Sequence, residues 1–163
     1  MRVVINDATT IYVTDNTPNA EPRYRARFYF NPNSISMAAG DYTYILQGYD
    51  TSNTAILLIQ FNRSSVGYQL RARAYDSVLA NWVNTPYVTI SNAVHWVEMD
   101  WGNDRHLSFW VDGVQQGSLT GINNSNYTMD SVRLGAAYIH ATATSGTYYI
   151  DAFESRQYTY IGP

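Results

Sequence analysis

The sequence predicts an all-β protein, built as a two-sheet antiparallel β-sandwich. Three observations carry this expectation. Apolar and polar residues alternate at period two through most of the chain, turn residues punctuate it every ten residues or so, and no stretch sustains helical periodicity. At 163 residues the chain fits one domain, 1–163, able to bury roughly two-thirds of its unfolded surface. A closed up-and-down barrel fits less well, because the run AILLIQF at 55–61 is apolar at nearly every position and calls for cover on both faces.

The elements follow in order. Residues 2–5 and 10–14 read as short strands, and DNTPN at 15–19 as a turn. The run RYRARFYF at 23–30 is a strong strand, with Tyr24, Ala26, Phe28 and Phe30 inward and Arg23, Arg25, Arg27 and Tyr29 outward. Pro32 ends it, and 31–41 reads as a loop holding one helical turn. Strands 42–49 and 54–62 flank a hairpin turn, Asp50-Thr51-Ser52-Asn53. The run GYQLRARAY at 67–75 repeats the arginine pattern, with Gln69, Arg71, Arg73 and Tyr75 on one face. Residues 76–85 read as a loop containing Trp82, and 86–90 as a short strand.

Residues 95–119 form the best-defined stretch. Val97, Met99 and Trp101 face one way and Trp96, Glu98 and Asp100 the other; Leu107, Phe109 and Val111 then alternate with Ser108 and Trp110. Asp112-Gly113 is a type I′ hairpin signal, since both central positions need positive φ. A polar loop, GINNSNYTMD, leads into strands at 131–138 and 147–154.

Composition narrows the function. A net charge of −3 argues against general nucleic-acid binding. No apolar run is long enough for membrane insertion as a helix, and MRVVIND lacks a signal peptide's apolar core. Without cysteine there are no disulfides or thiolate metal sites. All ten basic residues are arginine, the side chain suited to planar, hydrogen-bonded and partly buried roles.

The segments HWVE at 95–98, LSFWVDG at 107–113 and GTYYIDAFESR at 146–156 resemble the laminin-G-like branch of the concanavalin A-like lectin/glucanase jelly rolls. The arginine strand with NPN-S after it, and the ending FESR…YIGP, are similar to C-terminal modules of large secreted bacterial surface proteins. The resemblance implies a jelly roll with a sugar-binding or protein-binding face, often with structural calcium. It also implies an extracellular or cell-surface location, with the chain a module of a longer exported protein and its signal peptide elsewhere. Fold alone does not choose the ligand.

The residues point to recognition of a glycan or a cell-surface protein. Sugars and protein interfaces both use outward aromatics beside planar polar groups. Trp96, Glu98, Asp100 and Trp110 are candidates, joined by Arg25, Arg27, Tyr29, Arg71, Arg73 and Tyr75 if those strands share the face. The competing reading makes the arginines and carboxylates a solvated ion-pair lattice. Calcium needs six to eight oxygens; the resemblance implies a ligand on the closing strand, where Asp151 stands, and Asp15, Asn16 and Glu21 lie in an N-terminal loop expected to meet it.

Two alternatives stand beside recognition. Edge strands without lysine suit self-association into a surface filament or layer. Glycoside hydrolases of the concanavalin A-like fold carry E-x-D-x-E on one strand, but here Glu98 and Asp100 are followed by Gly102, so the pattern is incomplete. His95, His106 and His140 show no metal-ligand spacing, and no G-x-S-x-G elbow is present. A non-enzymatic role is therefore expected.

Overall fold

The structure, a computed structural model, describes residues 1–140, 143–159 and 161. Thirteen strands form two antiparallel sheets, with no helix among the described residues, and so none able to cross a membrane. The chain adopts the jelly-roll sandwich that its sequence predicts.

The six-stranded sheet contains β1 (Arg2–Ile5), β3 (Arg23–Asn31), β9 (His95–Gly102), β10 (His106–Val111), β11 (Val114–Thr120) and β13 (Gly146–Arg156), in the order β1-β13-β3-β9-β10-β11. The seven-stranded sheet contains β2 (Ile11–Asp15), β4 (Tyr42–Tyr49), β5 (Ala55–Ser64), β6 (Gly67–Asp76), β7 (Asn81–Asn84), β8 (Val88–Ile90) and β12 (Ser131–Ile139). Its order is β2-β12-β4-β5-β6-β7, with β8 also pairing with β6.

Alternation sets the register and the register builds the core. From β3, Tyr24, Ala26, Phe28 and Phe30 are buried; from β9 and β10, so are Val97, Met99, Trp101, Leu107, Phe109 and Val111. Phe30 meets Phe61 of the opposite sheet edge-on at 4.8 Å, and Tyr148 closes the cluster 5.5 Å from Phe30. Each aromatic buried this way contributes roughly 1.5–3 kcal/mol. The Asp112-Gly113 turn has the positive φ angles a type I′ hairpin requires, 52° and 76°.

Three expectations need correction. The 76–85 segment contains a strand, β7, because Val83 and Trp82 pair with Ala74 and Tyr75 of β6. The 31–41 segment has no helical turn; Asn33 and Ser34 adopt left-handed φ of 50° and 54°, which interrupts any right-handed turn. The β5 strand is central, but only its inner face meets a second layer. Its outer residues Leu58, Gln60 and Asn62 are buried on the outer surface of their own sheet, opposite Arg73, Arg71 and Gln69 of β6. Of the YIGP ending, positions 160, 162 and 163 lie outside the described residues.

Candidate functional site

The two arginine strands do not share a face. Arg25, Arg27 and Tyr29 stand on the outer face of the six-stranded sheet, in register with Asp100, Glu98 and Trp96, and Trp110 lies opposite Glu98. Arg71, Arg73 and Tyr75 stand on the outer face of the seven-stranded sheet, on the far side of the molecule. The candidate set therefore divides into two, with different chemistry.

On the six-stranded sheet the charges neutralise one another. Asp100 is 5% exposed and accepts from Arg23 Nε at 2.9 Å and Nη2 at 2.6 Å, while Arg25 Nη2 lies 2.7 Å away. His106 Nε2 stands 3.6 Å from the same carboxylate, and its Nδ1 bonds Asp104. Burial pushes the Asp100 carboxyl up, but the neighbouring His106 imidazole, the hydrogen bonds from Arg23 and the arginine charges outweigh it, leaving the group far below the usual carboxylate range. The Asp100 carboxylate first, and the bonded Asp104 after it, raise the His106 pKa against the opposing effect of burial. Glu154 engages Arg27 at 3.9 Å and also Arg156.

Glu98 is 2% exposed, so the carboxylates expected on an outward polar face are in fact buried, with Glu98 in register between Arg27 and Trp110. Trp96 packs against the Asp112-Gly113 turn, where its backbone N–H donates to Asp112 Oδ1 at 2.9 Å. Trp110 is half-buried. An Asp100 held ionised between two arginines is a poor proton donor. Where the hydrolase pattern has its third carboxylate there is Gly102, whose carbonyl accepts from Asn124 Nδ2 at 2.9 Å.

The calcium candidates do not form one cluster. Asp15 Oδ2 accepts from Tyr24 OH and Ser155 Oγ, both at 3.2 Å, and Glu21 is bonded by Gln157. Asp151 stands opposite Tyr29 in the sheet, its Oδ1 accepting the Ala152 N–H. Among the described residues no three His, Asp or Glu side chains converge as a metal site.

The seven-stranded sheet is different. Tyr138, Tyr44, Gln60 and Arg71 lie in one row across β12, β4, β5 and β6, and Gln47, Leu58, Arg73 and Asn84 form the next row. Gln60, 2% exposed, is the centre. Its Oε1 accepts from Arg71 Nε at 3.1 Å, Arg71 Nη2 at 3.0 Å and Arg73 Nη1 at 3.3 Å, and its Nε2 donates to Tyr87 OH at 3.1 Å. Arg73 also donates to Asn84 Oδ1 at 2.6 Å and Tyr44 OH at 3.2 Å.

Aromatic rings wall this centre. The Arg71 guanidinium lies 4.3 Å from the Tyr87 ring centroid, and that of Arg73 lies 5.5 Å from Trp82, which meets Tyr75 edge-on. Beside them Tyr42 stacks on His140 at 4.2 Å, and Tyr44 on Tyr138 at 5.0 Å. Tyr87 and Tyr138 remain 39% and 40% exposed, so the rings offer faces to solvent. Gln60, Tyr44, Tyr87, Asn84, Tyr42 and Tyr138 were not singled out from the sequence, and Trp82 and His140 were noted there but not as binding residues. Gln60 had a visible signal, as the one polar residue in AILLIQF.

No family model matches the sequence, and no curated protein matches it either. Solved structures do. The binding domain of botulinum neurotoxin serotype D aligns over 96% of this chain and 38% of its own length, at 11% identity and a TM-score of 0.65. The serotype D ligand-binding domain solved in complex with N-acetylneuraminic acid aligns over the same shares at 10% identity and 0.64. A native heptameric SAP-like pentraxin from Limulus polyphemus aligns over 94% of this chain and 74% of its own, at 12% identity and 0.64. The chain thus spans little more than a third of the toxin domains' length. At these identities the likeness establishes the fold, the concanavalin A-like jelly roll.

Proposed function

We propose that this domain is a non-catalytic glycan-recognition module and that it binds through the outer face of the seven-stranded sheet. One observation carries the reading: Arg71 and Arg73 are held by Gln60 in a fixed fork, walled by Tyr87, Trp82 and Tyr44. Exposed rings can stack on the C–H faces of a sugar, while fixed guanidinium, amide and phenol groups hydrogen-bond its hydroxyls. Strands rather than loops carry most of these groups, so little ordering is required on binding. The fold supports the reading, because a serotype D toxin domain of this architecture was solved with N-acetylneuraminic acid. The self-neutralised ion lattice of the six-stranded sheet is assigned a structural role.

The role proposed is extracellular, on a cell or secreted surface, as part of a larger exported protein. A glycan-array screen with and without calcium tests it, comparing Tyr87→Ala with Trp110→Ala. Binding lost in Tyr87→Ala and kept in Trp110→Ala is the expected result. The reverse pattern would move the site to the six-stranded sheet, and an array with no bound glycan would remove the reading altogether.

A second reading, self-association, has its own observation. On the edge strand β2, Ile11 and Val13 are 45% and 54% exposed beside a backbone edge that pairs only with β12. Light scattering of the wild type against Val13→Lys separates the cases: concentration-dependent growth suppressed by the lysine supports assembly.

A further inference from the structure

The ligand's chemical class can be read from the charges around Arg71 and Arg73, given the glycan-binding reading above. Six of the ten arginines of this chain fall into two contrasting groups. Arg23, Arg25, Arg27 and Arg156 all sit within salt-bridge distance of a carboxylate. Arg71 and Arg73 have none among the described residues: their partners are an amide, two phenols and an asparagine.

The electrostatic surroundings say the same. The groups acting on Arg71 are burial first, which disfavours its charge, then Tyr87, the neighbouring Arg73, Tyr44 and Tyr42, with no carboxylate among them. Two cations are thus fixed side by side, partly out of water, without an internal counter-charge. An arrangement of this kind is costly for a folded protein and pre-formed for an incoming anion.

The remaining donors point the same way. A guanidinium has five N–H groups. Arg71 uses Nε and Nη2 on Gln60, and Arg73 uses Nε and Nη1 on Asn84, Tyr44 and Gln60. Arg71 Nη1 and Arg73 Nη2 make no hydrogen bond to a described residue, and neither is sealed from solvent. Arg133 offers a contrast: it is sandwiched by Tyr12 and Tyr49 at 4.7 and 4.4 Å and bonded to Tyr49 OH at 2.9 Å, so its planar faces are occupied.

We infer that the seven-stranded face recognises an acidic glycan, whose carboxylate or sulfate is received by Arg71 Nη1 and Arg73 Nη2 while its sugar ring stacks on Tyr87 or Trp82. Both anions offer a guanidinium pair at least two charged acceptor oxygens, and charge-assisted bonds are roughly twice as strong as neutral ones.

The test is a glycan array that prints each acidic glycan beside its neutral counterpart, the methyl ester for carboxylates and the desulfated form for sulfates. The expected result is binding confined to acidic members, at least about tenfold weaker for each neutral partner, a difference of about 1.4 kcal/mol. Which acidic set binds distinguishes carboxylate from sulfate. Gln60→Glu is the decisive variant, since it places a carboxylate between the two guanidiniums and should abolish acidic binding while the melting temperature stays at or above that of the wild type. Equal binding to acidic and neutral partners, or acidic binding unchanged in Gln60→Glu, overturns this inference and leaves glycan recognition standing. An empty array overturns the recognition reading itself.

Discussion

The Gln60 amide oxygen faces Arg71 across β5 and β6 and accepts from both Nε, at 3.1 Å, and Nη2, at 3.0 Å. An uncharged residue here occupies the place usually taken by a carboxylate. Gln60 is buried at the middle of a strand, so the geometry is held on both sides by the sheet. Gln60→Leu removes the shared acceptor of both arginines and the donor to Tyr87 OH. A loss of about 1–3 kcal/mol in urea unfolding is expected, with the unfolding slope unchanged.

The ion lattice on the opposite face makes stability depend on pH in two windows. Asp100 titrates below its unfolded value, so its contribution is complete above about pH 4 and is lost as pH falls toward the folded value. His106 titrates above its unfolded value, so its contribution is complete below about pH 6.5 and fades as pH rises through the folded value. Melting temperatures across pH should therefore decline on both sides of a mildly acidic optimum. His106→Gln should remove the alkaline decline and leave a smaller acid one, held by Arg23 and Arg25.

Gly135 of β12 has φ of 128°, and a Cβ there would stand 2.5 Å from the Ile11 carbonyl oxygen of β2. That contact is with backbone, which cannot rotate away. Gly121 also has positive φ, 76°, but a Cβ would meet nothing within 4 Å. Gly135→Ala should cost about 2 kcal/mol or more in chemical denaturation, and Gly121→Ala about 1 kcal/mol from backbone strain alone.

Asp112 serves two neighbours from inside its hairpin turn: Oδ1 accepts the Trp96 N–H at 2.9 Å and Oδ2 meets His95 Nδ1 at 2.6 Å. Its own φ is 52°, which asparagine tolerates better than alanine. Asp112→Ala should lower the melting temperature more than Asp112→Asn, by a difference worth about 1 kcal/mol. Equal losses would show that His95 supplies the whole effect.

The sandwich was legible because period two and turn chemistry are local properties of the chain. RYRARFYF and HLSFWVDG already separate a core face from an outer face, and Asp112-Gly113 already names its turn. The β7 strand was hidden because Asn81–Asn84 is short and is held chiefly by its pairing with β6. The candidate site was half visible: Arg71, Arg73 and Tyr75 stood out by alternation, whereas Tyr44 joins them from β4 and Tyr87 from the loop before β8.

What the sequence determined by itself was which side chains point together along each strand, because a strand's geometry repeats every two residues whatever its neighbours are. What only the tertiary structure decided was which strands lie side by side. The same motif, R-x-R, is neutralised by Asp100 and Glu154 in one sheet and left to Gln60 and aromatic rings in the other. Charge compensation acts across strands distant in sequence, so the pairing order gives two similar arginine strands their different chemistry.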